Sequence, residues 1–177
     1  MKKSTILTTI AFAFLMVFST NVNAQKFSGL DKSPMDAASY PSSYKESNKA
    51  VRVIYSRPQL KGRALAELAP NGKVWRTGAN EAAEITLYKD MMVGGQSVKA
   101  GTYSLATIPG DNEWTIIFNT DLNTWGSYFY NEANDVARFK VKTTTGDESL
   151  EAFSIAFDES GTMHMGWGTM RVALPMK

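Results

Sequence analysis

Five basic side chains are concentrated in the segment 56–81 of this chain. Three are arginines, whose planar guanidinium groups suit carboxylates or phosphates, and two are lysines, which act as mobile point charges. These residues are Arg57, Lys61, Arg63, Lys73 and Arg76. Because the segment holds only two acidic residues, Glu67 and Glu81, the pattern favours binding of a small anionic ligand or an acidic sugar.

Three further residues of this segment, Trp75, Asn80 and Glu81, belong to the predicted ligand site. Asn80 and Glu81 follow T-G-A directly and could face a ligand. The structural alternative is that the arginines pair with carboxylates such as Glu67 and Glu84 and so brace a long loop, while Asn80 and Glu81 cap a turn.

An aromatic loop at 121–130, D-L-N-T-W-G-S-Y-F-Y, adds Trp125 to the predicted site. Exposed rings in such a loop could stack on a sugar or a partner protein. Alternatively, the rings close one end of a β-sandwich. The strand positions of Trp114 and Trp167, in contrast, predict that both lie in the core.

The sequence lacks the residues that several kinds of metal site and catalytic site require. His164 is the only histidine and the chain has no cysteine, so a zinc site would rest on carboxylates around one imidazole, and a Ser-His-Asp relay would have one possible base. Neither calcium-loop spacing nor a glycine-rich phosphate motif is present. We therefore predict no metal, no cofactor and no catalytic residue, although sequence leaves open a carboxylate pair of the kind that glycosidases use.

Apolar residues that alternate with polar ones predict the elements that must position this segment. Runs near 51–55, 85–87, 103–107, 114–118, 136–141, 153–157 and 163–174 are typical of half-buried strands. Gly94-Gly95 predicts a two-residue hairpin turn and T-G-D at 145–147 another turn, while only 64–68 suggests a helix. The sequence predicts an all-β fold: an antiparallel β-sandwich or flattened barrel of short strands with one long basic inter-strand loop.

The first residues resemble an export signal. Lys2 and Lys3 precede a short apolar stretch at 10–18, and small residues before position 25 suggest cleavage near Ala24. We expect a signal peptide at 1–24, a loose N-terminal lead at 25–37 and one β-sandwich domain at 38–177, without a transmembrane segment. Loss of the two lysines lowers the 19 basic groups to 17, equal to the 17 acidic groups, so charge gives no support to nucleic-acid binding.

Four motifs in order, Y-S-R-P-Q-L-K-G-R at 55–63, G-K-V-W-R-T-G-A-N-E-A at 72–82, K-A-G-T-Y-S-L-A-T-I-P-G at 99–110 and E-W-T-I-I-F-N at 113–119, carry a resemblance to a family. The chain resembles exported bacterial proteins, common in the Bacteroidetes, that are catalogued as domain of unknown function twenty-nine eleven. The resemblance covers nearly the whole mature chain, and it implies no activity for any residue.

Three functions are therefore compatible with the sequence. The first is a non-enzymatic periplasmic or extracellular module that binds a small anionic or carbohydrate ligand, or an envelope protein, through the segment 56–81. The second is a hydrolase of an anionic or carbohydrate substrate that uses carboxylates such as Glu81. The third is a purely structural envelope component. Whether Arg57, Arg63 and Arg76 converge on an open cleft beside an unpaired carboxylate separates the first two functions. Burial of all three in salt bridges would favour the third.

Overall fold

The computed structural model describes residues 25–177, and the predicted signal peptide lies outside the described residues. Residues 25–34 form neither helix nor strand. The first strand begins at Met35, three residues before the domain boundary expected at 38. The stretch Asp31–Lys177 forms a compact unit, and all the elements named below belong to it.

Short antiparallel strands dominate the described chain. They are β1 (Met35–Tyr40), β2 (Val51–Ser56), β3 (Ala83–Leu87), β4 (Met91–Val93), β5 (Gln96–Val98), β6 (Gly101–Ile108), β7 (Glu113–Asn119), β8 (Asp135–Phe157) and β9 (Met163–Leu174), with one helical turn, α1 (Leu65–Leu68), and a 3-10 turn at Glu132–Asn134.

Seven strands form one sheet in the order β1-β2-β3-β6-β7-β8-β9, while β4 and β5 form a separate hairpin. The large sheet curls around one hydrophobic core because apolar side chains take alternate positions along its strands. In β2, for example, Val51 and Val53 are buried while Arg52 between them is exposed. This architecture confirms the predicted antiparallel all-β fold of the sandwich or flattened-barrel type.

β8 is longer than the sequence pattern predicts. The turn expected at 145–147 is wrong, because β8 is one strand of 23 residues. Its pairing with β9 does shift register between Thr145 and Leu150. Gly146 serves close packing instead of a turn: a Cβ at this position would lie 2.8 Å from the guanidinium of Arg171. Arg171 donates a hydrogen bond to the carbonyl of Glu148, so the glycine makes room for a side chain that ties β9 to β8.

The connection between β2 and β3 closes the curled sheet. Its first residues run beside the second half of β8, where the N–H of Phe153 donates to the carbonyl of Pro58 at 2.9 Å and the N–H of Leu60 donates to the carbonyl of Glu151 at 2.9 Å. β8 therefore contacts β7 along its first half and the β2–β3 connection along its second half.

Two smaller predictions are confirmed. The helix expected at 64–68 is α1, and Gly94-Gly95 forms the turn between β4 and β5 with φ angles of 53° and 85°. Such positive φ values are accessible to glycine without strain. Within residues 25–177, the structure contains no helix with the length and apolarity that membrane crossing requires.

Candidate functional site

The second half of the β2–β3 connection places Trp75 and Arg76 on opposite sides of the sheet. Trp75 pairs with Thr107 of β6 through two backbone hydrogen bonds of 2.7 and 2.9 Å, along the edge of β6 that β3 leaves at Leu105. Because neighbouring side chains of an extended segment point to opposite faces, Trp75 turns into the core and Arg76 turns outward.

Trp75 is part of an aromatic cluster in the core and is only 4% exposed. Its ring stacks on Trp167 with centroids 5.4 Å apart and meets Trp114 and Phe153 edge to face at 6.1 and 5.0 Å. Trp114 and Trp167 are buried as predicted. Trp75 therefore anchors the segment that carries Arg76 in the core.

Arg76 is a partly buried cation without a partner in residues 25–177. Its Nε is the single enclosed side-chain nitrogen or oxygen in this range that makes no hydrogen bond. The two Nη groups also make no hydrogen bond or ion pair in this range, and because they are not enclosed, they keep contact with solvent. Burial lowers the pKa of the Arg76 guanidinium, and nearby Tyr128 opposes this shift.

The Arg76 side chain lines a small cavity, which we call the Arg76 pocket. Its volume is about 20 Å³, enough for one group of about the size of a water molecule. Its polar lining consists of Arg76, Ser104, Asn119, Asp121, Thr124, Ser127 and Tyr130. Asp121 is the one carboxylate among them, but both of its oxygens accept hydrogen bonds from the Asn134 amide, at 2.8 and 2.9 Å.

Two loops meet over the pocket. The N–H of Ala82 donates to the carbonyl of Thr124 at 2.9 Å, and the N–H of Gly126 donates to the carbonyl of Asn80 at 2.9 Å. Asn80 adopts a φ of 62°, in the left-handed region that asparagine tolerates better than most residues. Asn80 therefore serves the pocket through its backbone, by joining the arginine segment to the aromatic loop.

Thr77, directly after Arg76, has a strained backbone. Its φ is 53°, which is a true outlier for a β-branched residue. The side chain is fully buried, and its hydroxyl lies 3.2 Å from the hydroxyl of Thr107, to which it donates a hydrogen bond. Strained residues of this kind concentrate at functional sites, where the surrounding structure holds them in place.

Three exposed rings, Trp125, Tyr128 and Phe129, stand beside the pocket and form what we call the aromatic rim. They are 56%, 82% and 72% exposed. Gly126, which lines the pocket, has a φ of 68°, and a Cβ at this position would lie 2.8 Å from the ring of Tyr128. The glycine therefore lets the Tyr128 ring lie against the loop at the edge of the pocket.

A polar network fixes the far side of the loop. The Tyr130 hydroxyl donates to Asp135 at 2.7 Å, and Arg138 donates to the same carboxylate at 2.6 Å and to the Tyr130 oxygen at 2.8 Å. Asn119 donates to the other carboxylate oxygen at 2.8 Å. Burial, with the neighbouring Asp135 carboxylate, raises the pKa of Tyr130 to about 12, so this side chain is a neutral strut.

Arg57 lies elsewhere and is fully engaged. Its Nε donates to the carbonyl of Phe153 at 3.1 Å, its Nη2 donates to the hydroxyl of Ser154 at 2.7 Å, and its Nη1 forms an ion pair with Asp36 at 3.1 Å. This arginine clamps β1 and the start of the β2–β3 connection onto β8.

The remaining cations of the segment do not join Arg76 either. Arg63 donates to the carbonyls of Leu60 and Gln59 at 2.9 and 2.8 Å, which braces its own turn. Lys61 has an exposed side chain, and its backbone N–H donates to a carboxylate oxygen of Glu151. Lys73 is exposed. The five cations therefore do not converge on one cleft.

Glu81 is exposed and pairs through its backbone with Trp125. Together with Glu84 it lines a separate pocket of about 120 Å³ that contains no basic residue. Glu84 accepts a hydrogen bond from the N–H of Asn123 at 2.9 Å. Two carboxylates thus share a cavity, but no cation lies beside them to hold an anionic substrate.

His164 forms an exposed pair with Asp158, with 2.8 Å between Nε2 and the carboxylate. The nearby Ser160 hydroxyl donates to Asp158 and not to the imidazole, so no Ser-His-Asp relay is formed. In residues 25–177, no group of three or more histidine, aspartate and glutamate side chains is arranged to hold a metal ion.

Sequence reasoning did not identify the walls of the Arg76 pocket. Ser104 lies within β6 and Asn119 ends β7, and both are buried. A signal is present in β6, where Ser104 and Ala106 are small. Small side chains next to each other on one face leave room for another segment to lie on the sheet, here the segment that carries Arg76.

The comparison with known proteins returns one family. A model of the family described as "Protein of unknown function (DUF2911)" matches residues 33–176, which include every element of the site. No curated protein and no solved structure matches the chain.

Proposed function

We propose, from the premise that this chain belongs to the DUF2911 family of proteins of unknown function, that it is a non-enzymatic binding module for an acidic carbohydrate. The Arg76 guanidinium would hold a carboxylate of the ligand, and the aromatic rim would support the sugar ring. An exported protein, as the signal at 1–24 predicts, meets such polymers outside the cell membrane.

The observation that carries this proposal is the missing partner of Arg76. A cation withdrawn from water costs free energy unless an opposite charge or hydrogen-bond acceptors compensate it. Arg57 and Arg63 in the same connection are compensated, whereas Arg76 has no protein partner within residues 25–177. A bound carboxylate would supply the missing charge and acceptors, and its hydrogen bonds would be charge-assisted.

The size and charge of the site favour a carboxylate over a phosphate. One guanidinium matches one carboxylate in a bidentate geometry, while phosphate sites usually gather several cations or backbone N–H groups. The pocket has room for about one water-sized group, such as one carboxylate oxygen, so the rest of the ligand must lie at its mouth. The exposed rings of Trp125 and Tyr128, beside the pocket, would cover the apolar face of a sugar ring.

The test is a titration of residues 25–177 with trigalacturonic acid, followed by intrinsic fluorescence. Trp125 is 56% exposed while the other three tryptophans are at most 4% exposed, so a fluorescence change reports the aromatic rim. We expect Arg76→Gln to weaken binding about tenfold or more, because charge-assisted hydrogen bonds are lost. Lys73→Gln removes the same charge from an exposed position nearby and should leave the affinity unchanged.

The methyl ester of the same trisaccharide is the matched neutral ligand. Absence of binding by the acid, or equal affinities for the acid and the ester, would contradict the proposal. Equal losses in Arg76→Gln and Lys73→Gln would show that only net charge matters.

Glu81 and Glu84 in one pocket favour a second candidate, the hydrolase. Cleavage of the trisaccharide during the titration would favour the hydrolase over the binding module. The Glu81→Gln variant should then lose this cleavage.

A further inference from the structure

The functions proposed above leave unused a groove at one open end of the curled sheet. Its volume is about 410 Å³, within the range of small-molecule sites, which often occupy the mouths of β-barrels. α1 forms one wall, and residues 143–145 of β8 with residues 169–170 of β9 form the other. We call it the threonine groove, after Thr143, Thr144, Thr145 and Thr169, which line it.

Along β8 the alternate positions change from buried apolar residues to a partly buried and then an exposed threonine. Phe139 and Val141 are buried in the core, and the next residues of the same alternation are Thr143 and Thr145. The Thr143 hydroxyl donates to the backbone carbonyl of Asp111 at 3.0 Å. The Thr145 hydroxyl makes no hydrogen bond in the described chain. Of these two threonines, Thr145 thus presents a hydroxyl that makes no hydrogen bond within residues 25–177, at an exposed position that lines the groove.

Trp114 forms the floor of the groove and is 2% exposed. Buried indole N–H groups normally donate to a partner, as Trp167 does to the carbonyl of Glu151 at 3.2 Å. The Trp114 N–H has no such partner in residues 25–177, yet it is not among the enclosed unpaired atoms of this range. Its small remaining exposure lies in the groove, so the floor presents an unused hydrogen-bond donor.

The charge of the groove excludes the ligand class of the Arg76 pocket. Asp111 is its one charged lining residue, and Asn71 donates a hydrogen bond to its carboxylate. Without a lysine or arginine, the groove has no attraction for an anion. Hydroxyl and amide groups on one side and Leu65 and Ala66 of α1 on the other match a ligand with many hydroxyls and an apolar C–H face.

We propose that the threonine groove binds a neutral saccharide unit, with Thr145 and the Trp114 indole N–H as hydrogen-bonding groups and α1 as the apolar wall. The inference is independent of the Arg76 pocket, because the two cavities share no lining residue and differ in charge. A ligand that fits one should leave the other unaffected.

The test is a ¹H–¹⁵N NMR titration of residues 25–177 with glucose, N-acetylglucosamine, cellobiose and maltose as probes. The protein has four tryptophans, and their indole N–H signals separate the two sites: Trp114 reports the threonine groove and Trp125 the aromatic rim. We expect at least one probe to shift the Trp114 indole and Thr145 amide signals at concentrations up to about 10 mM, which suffices for a Kd of about 1 mM.

Two variants check the location. Thr145→Val keeps the side-chain shape and removes the hydroxyl, and we expect about fivefold weaker binding. Ala66→Phe adds a ring at an exposed helical position and should block the groove without entering the core. Thr115→Val, on β7 and outside the lining, is the matched control and should leave the affinity unchanged.

No shift with any probe, or shifts confined to the Trp125 indole, would overturn the proposal. Unchanged affinity in both Thr145→Val and Ala66→Phe would also overturn it. Binding of trigalacturonic acid is measured at Trp125, whereas binding of a neutral sugar in the threonine groove is measured at Trp114. The two proposals can therefore fail independently.

Discussion

Arg57 and Arg76 lie in the same inter-strand connection, but they face opposite environments. Arg57 gives hydrogen bonds to a backbone carbonyl and a hydroxyl and pairs with a carboxylate. Arg76 gives none in residues 25–177, although part of its guanidinium is enclosed. Arg57 therefore stabilises the fold, whereas the Arg76 guanidinium is left without a partner in the described chain.

The backbone on both sides of Arg76 is fixed, which keeps this arginine in place without a partner for its guanidinium. Trp75 anchors the backbone before Arg76 in the core, and the strained Thr77 follows it. Two polar residues that line the pocket already have partners: Asn134 donates to Asp121, and Tyr130 donates to Asp135. A cation that lacks a partner, beside a carboxylate that already has one, is the arrangement expected of a binding residue, since activity often costs stability at such sites.

The largest expected effect is the loss of the Arg57 clamp. Arg57→Ala should lower the free energy of unfolding by about 2–3 kcal/mol, because its two hydrogen bonds to Phe153 and Ser154 are lost, while its exposed pair with Asp36 adds little. Urea unfolding measures this change. Lys73→Ala should stay within about 0.5 kcal/mol of the parent, and a similarly small effect of Arg57→Ala would remove the contrast.

The substitution Arg76→Met should act in the opposite direction. Methionine retains an apolar stem but removes the desolvated cation, so we expect a gain of about 0.5–2 kcal/mol in the free energy of unfolding. The same urea experiment measures it. A loss as large as that of Arg57→Ala would mean that Arg76 also braces the fold.

The smallest effect concerns pH and the strut behind the pocket. The pKa of Tyr130 is raised to about 12, above the usual tyrosine value of about 10. Its stabilising contribution is therefore complete below pH 10 and is lost as the pH rises through 12. Phenolate absorbance should show a late-titrating group that disappears in Tyr130→Phe.

Arg76→Met is the control for this titration. Because Asp135 and Arg138 hold the Tyr130 hydroxyl, the late titration should persist in this variant. Loss of the late titration in Arg76→Met would mean that Arg76 interacts with the Tyr130 hydroxyl, contrary to this expectation.

Much of the fold follows from alternation in the sequence. Strands such as β2 and the hairpin at Gly94-Gly95 depend on neighbouring residues, so local pattern predicts them. The continuity of β8 does not, because Gly146 is explained by Arg171, a side chain 25 positions further along the chain. A glycine that permits close packing and a glycine that permits a turn have the same local signature.

The site was predictable only as a segment. The sequence singles out Arg57, Arg63 and Arg76 equally, since all are arginines in a glycine-containing loop. What separates them is partners distant in sequence, such as Phe153, which is 96 residues from Arg57. Trp75 and Trp125 show the same limit: side-chain type suggested a ligand contact for both, and pairing with β6 buries one of them.

The long β8 strand also has a consequence for how the chain folds. Its first half pairs with β7, a near neighbour in sequence, but its second half bonds to the β2–β3 connection across 96 residues. Closing so large a loop carries an entropic cost before any contact forms. Closure of the sheet is thus a slow, non-local folding step. Arg76 reaches its position beside the pocket only after this step is complete.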